Sequence, residues 1–84
     1  MVSKEDAVND IVKTYPNITF TKYTVNDNGN NYIIILYGKP DSDGVYMGNT
    51  VTFVVNKNTG YRKMLSTLDY ALNKDKYIEP LKEE

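Results

Sequence analysis

The segment Tyr32-Ile33-Ile34-Ile35-Leu36-Tyr37 narrows most what this chain can become. Successive side chains of an extended strand point to opposite faces, so Tyr32, Ile34 and Leu36 line one face and Ile33, Ile35 and Tyr37 the other. Both faces are apolar. Such a strand belongs in the middle of a sheet, with a neighbour along each edge and a covering layer on each side.

The rest of the chain offers the neighbours. Ile18 to Val25 (ITFTKYTV) is rich in β-branched and aromatic residues and reads as a strand. Asn26-Asp27-Asn28-Gly29-Asn30-Asn31 then turns it back into a second strand, Tyr32 to Gly38. Lys39 to Gly48 (KPDSDGVYMG) reads as a long surface connection. In the third strand, Thr50 to Asn56, Val51, Phe53 and Val55 alternate with Thr50, Thr52 and Val54. Lys57-Asn58-Thr59-Gly60 makes a tight turn with Gly60 at positive φ, and Tyr61 to Leu65 returns as a fourth strand.

Helical spacing flanks the strands. Val8, Ile11, Val12 and Tyr15 repeat as one face of a helix from Lys4 to about Tyr15. Ser3 is its N-cap, Asp6 sits at the capping-box position, Val2 and Ala7 can staple the entry, and Pro16 ends it. Ser66 caps a second helix, Thr67 to about Lys74, with Leu68, Ala71 and Leu72 as its apolar side. The tail KYIEPLKEE is broken at Pro80, and its last few residues are expected to be mobile. The expectation is an α+β fold over residues 1–84, a single small domain: an N-terminal helix packed on a four-stranded antiparallel meander sheet, then a short C-terminal helix.

Composition removes much chemistry. With no Cys and no His, the chain lacks thiolate nucleophiles, histidine acid–base catalysis and Cys/His zinc sites. No apolar run approaches the ~18 residues that span a bilayer, and the opening MVSKEDAV carries no signal-peptide apolar region, so a soluble protein without membrane contact is expected. KPDSDG and NDNGNN invite a calcium-loop reading that the spacing refuses. With Gly44 or Gly29 at the sixth position, Lys39 or Thr24 falls at the first ligand and Thr50 or Ile35 at the twelfth. Glu5, Asp6 and Asp10 suit capping and a solvated helix face better than paired-carboxylate catalysis. Lys57, Arg62 and Lys63 suit the guarding of an edge hairpin better than phosphate binding, and the net charge of −1 gives no support to a direct nucleic-acid surface. The Asn17-Ile18-Thr19 sequon is unsupported by any secretory signal. The sequence therefore assigns no catalytic residue, no cofactor and no metal, and the chain reads as a non-enzyme.

Its surplus is apolar and aromatic, with eight Tyr. The first helix covers only one face of the sheet. Either the C-terminal helix covers the other through Leu68 and Leu72, or part of that face, with Tyr46, Met47 and Tyr61, receives another protein. On the second reading Tyr37, Tyr46, Met47 and Tyr61 supply apolar contact, while Asp41 and Asp43 orient and steer the partner.

From Gly48 onward the chain resembles the C-terminal half of the immunity protein 35 family, small bacterial proteins of polymorphic toxin systems. Gly48-Asn49, the strand ending Val55-Asn56-Lys57, the turn closed by Gly60 and the late Tyr77-Ile78-Glu79 carry the likeness, and the opening SKEDAVNDIV is similar to that family's start. Val55-Asn56-Lys57-Asn58-Thr59-Gly60 also resembles the turn of PepSY modules, which are secreted or membrane-attached. Both resemblances imply a non-enzymatic protein that binds another protein. The immunity resemblance implies a cytoplasmic protein that sterically neutralises a toxin. An extracellular or membrane-attached PepSY-like module and a phage-encoded inhibitor of a host defence nuclease stand as alternatives, and pairing of exposed sheet edges into a homodimer is compatible with the sequence.

Overall fold

The computed structural model describes residues 1–39, 42–44 and 50–82. Helix α1 spans Lys4–Thr14, and strands β1 Lys22–Asn28, β2 Asn31–Tyr37, β3 Thr50–Asn56 and β4 Arg62–Leu65 follow. Helix α2, Thr67–Leu72, and a 3-10 turn, Lys74–Ile78, complete the order. The four strands form one antiparallel sheet in the order β1-β2-β3-β4. The α+β architecture read from the sequence is the one observed.

The doubly apolar strand is central, as its pattern demands. β2 lies between β1 and β3, with Ile34 opposite Val25 on one side and Phe53 on the other. On one face Tyr32, Ile34 and Leu36 join Phe53 and Val55 under Ala7, Val8 and Ile11 of α1. Ser3 begins that helix by accepting the Asp6 N–H at 3.1 Å, and the Tyr15 N–H closes it on the Ile11 carbonyl. Val12, expected on the buried stripe, is 42% exposed. The helix turns Ala7, Val8 and Ile11 inward, which leaves Val12 at the margin of the contact.

β1 begins later than expected. Ile18 and Phe20 leave the ladder and pack against the first core as part of the connection from α1, while the Thr21 N–H makes a 2.7 Å bond to the Tyr37 carbonyl where pairing starts. The strand then continues to Asn28, through residues expected to form the turn. Only Gly29 and Asn30 remain between β1 and β2, and Gly29 takes a φ of 61° at the first central position of this tight hairpin. At the other hairpin Gly60 has a φ of 77°, as expected.

The largest correction concerns α2. Its Leu68 and Leu72 do not cover the second sheet face; they are 68% and 73% exposed. The Thr67 hydroxyl sets the helix rotation by hydrogen-bonding the hydroxyls of Thr50, at 2.7 Å, and Thr52, at 3.2 Å. With Thr67 against the sheet, Tyr70 one turn on also faces inward, and the leucines at the next helical positions are turned outward. Ile33 and Val54 are covered by Tyr77, with Ile35, Leu65, Tyr70 and Leu81 packed around them. The helix also stops at Leu72, short of the expected Lys74.

Candidate functional site

The site is built by two asparagines. Asn31 and Asn56 stand opposite each other where β2 begins and β3 ends, and both are buried. The Asn31 amide donates to the Tyr77 carbonyl at 2.6 Å and the Glu79 carbonyl at 2.7 Å, and its oxygen accepts the Leu81 N–H at 2.9 Å. The Asn56 amide donates to the Leu81 carbonyl at 2.9 Å. Its oxygen accepts the N–H groups of Asn58 and Thr59, shaping the β3–β4 turn. Every polar atom of both side chains is used, as burial requires. The tail beyond Pro80 is therefore fixed through Leu81, whereas Glu83 and Glu84 lie outside the described residues.

This clamp lays the C-terminal segment alongside β4 and leaves a groove of about 630 Å³ between them. Tyr61 and Lys63 come from the β4 side, and Lys76, Tyr77, Glu79, Pro80, Leu81 and Lys82 from the C-terminal side. Tyr77 is buried, and Tyr61, Pro80 and Leu81 are half-buried, so these form the floor. Lys63, Lys76, Glu79 and Lys82 are exposed and form the rim. Three ammonium groups against one carboxylate make that rim electropositive on a chain whose net charge is −1. Behind the floor the Tyr70 and Tyr77 rings meet at 6.3 Å, and burial raises the Tyr70 phenol above its ordinary pKa.

Among the described residues, Tyr61 and Tyr37 of the expected partner-binding set lie at opposite ends of the sheet. Tyr61 lines the groove. Tyr37 lies at the far end of the ladder, roughly 20 Å away at ~3.3 Å per residue, half-buried with the Lys22 ammonium 4.8 Å from its ring. Asp43 is exposed on the connection between β2 and β3. Asp41, Tyr46 and Met47 lie outside the described residues. The basic cluster also disperses. Lys57 turns to Asp27 at 2.8 Å, and Arg62 crosses to the α1 face, meeting Asp10 at 3.2 Å and Thr14 at 2.5 Å. Only Lys63 enters the groove.

Sequence reasoning misses the wall from Lys76 to Lys82 because the stretch KYIEPLKEE, broken at Pro80, shows neither helical nor strand periodicity and yields only the expectation of mobility in its last few residues. Its signal was Tyr77, Ile78, Pro80 and Leu81 among charges, together with two asparagines abutting the apolar strands. Among the described residues no three carboxylates converge to hold a cation, and no helix is long and apolar enough to cross a membrane. No family model, curated protein or solved structure matches the chain.

Proposed function

We propose that this chain is a protein-binding module that neutralises its partner by covering it, the mode of action implied by its resemblance to toxin immunity proteins. One observation carries the reading. Leu68 and Leu72 are held one helical turn apart in solvent, while both apolar clusters of the fold close without them. Two such side chains on one small helix are an interaction feature rather than a structural requirement. The partner is a toxin or nuclease met in the cytoplasm, and occlusion of its working surface needs no reactive group on this chain.

The test is affinity capture from the source cell with the immobilised full chain, beside the double variant Leu68→Asp/Leu72→Asp. Both replaced side chains are exposed, so the variant should retain the wild-type circular dichroism and melting temperature. A protein retained by the wild type and lost with the double variant supports the reading. Equal retention by both, or none by the wild type, removes it.

A further inference from the structure

The groove and the free edge of the sheet meet at β4. The 2.8 Å bond from the Asn56 N–H to the Tyr61 carbonyl marks those two residues as a hydrogen-bonded pair. Alternation then turns the backbone groups of Lys63 and Leu65 toward β3 and those of Arg62 and Met64 outward. Among the described residues nothing bonds the outward groups, and β4 is the last strand of the sheet. Lys63 projects onto the groove face beside this open edge, because it stands opposite Val54 of the second core. Among the described residues no carboxylate pairs with Lys63, Lys76 or Lys82.

We infer that this groove receives an extended acidic segment of a partner protein, with an apolar side chain over Tyr61, Tyr77 and Leu81 and carboxylates against Lys63, Lys76 and Lys82. The charge of the rim selects an anionic ligand, and the aliphatic Pro80 and Leu81 in the floor favour a peptide over stacked bases. The outward N–H and C=O groups of Arg62 and Met64 supply main-chain bonds to the same segment, which adds as a fifth strand. The inference deepens the protein-binding reading and rests on it for the origin of the peptide, but it concerns a different surface from Leu68 and Leu72.

Selection of displayed random linear peptides on the full chain tests it. Enriched sequences should be acidic with an aliphatic or aromatic anchor, and added salt should weaken their binding. Lys63→Glu and Lys76→Glu should each lower affinity roughly tenfold. Met64→Pro removes an outward N–H that the sheet does not use, so it should keep the fold and abolish binding. The Leu68→Asp/Leu72→Asp chain should bind these peptides like the wild type. Equal lysate capture by the wild type and the double variant, or none by the wild type, with peptide binding intact strikes the α2 reading alone, whereas capture lost only in the double variant without any peptide binding strikes the groove alone. Basic or uncharged winners, no enrichment, or indifference to the lysine reversals would overturn the inference. So would lysine-dependent binding of a uridine-rich single-stranded RNA in place of any peptide.

Discussion

Asn31 satisfies three backbone groups of a segment nearly fifty positions away, with a |i−j| of 46 to Tyr77 and 50 to Leu81. A buried amide in that position stabilises mainly because its loss strands its partners. At about 1 kcal/mol per net hydrogen bond, Asn31→Ala should cost about 3 kcal/mol, read as a lower urea midpoint. Asn31→Asp should be no rescue, since a carboxylate keeps the acceptor for Leu81 but sets charge against two carbonyl oxygens. Asp27 is a contrasting, exposed case. Its hydrogen bond to Lys57, then that to Lys4, lowers its pKa below the ordinary 3.8 against an opposing desolvation, with smaller contributions from the charges of the same two lysines. A carboxylate whose folded pKa is depressed contributes stability above its unfolded pKa and loses it as pH falls through the folded value. The stability gap between wild type and Asp27→Asn should stay constant above about pH 5 and close on further acidification, as followed by urea unfolding at each pH.

Between elements, the β1–β2 hairpin and the C-terminal segment are fitted to each other. A Cβ on Gly29 would collide with the Ile78 carbonyl oxygen, which accepts the Asn30 N–H at 3.1 Å. Gly29→Ala adds the left-handed backbone penalty to that collision, so it should destabilise by about 2 kcal/mol or more, again by urea titration. Sequence patterns made most elements legible. Alternation in β3 gave its two faces, Ser3 and Ser66 marked both helix starts, and Gly60 marked its turn. What failed was rotation and docking. The leucines of α2 looked like its buried stripe because periodicity reports which residues share a face without saying which face is packed. The tie that decided it, Thr67 to Thr50 and Thr52, joins positions far apart in sequence. The groove was illegible for the same reason, since its second wall exists only once Asn31 and Asn56 have captured the tail.

For the whole molecule, the first core belongs to α1 and the second to the C-terminal segment, with the sheet between them. Ile33 and Val54 are 1% and 0% exposed under that segment. At ~1.5–3 kcal/mol for each fully buried aliphatic side chain, uncovering both would remove about 3–6 kcal/mol as an upper bound. A small domain has only about 5–15 kcal/mol to lose, so the segment that walls the groove also sustains the fold. Native-state amide exchange at Leu81, whose N–H ends on the buried Asn31 oxygen, measures this directly. Protection within about tenfold of the central-strand amides in the wild type, collapsing in Asn31→Ala, is the predicted result. Exchange of Leu81 at the rate of an unstructured peptide in the wild-type chain would contradict the account.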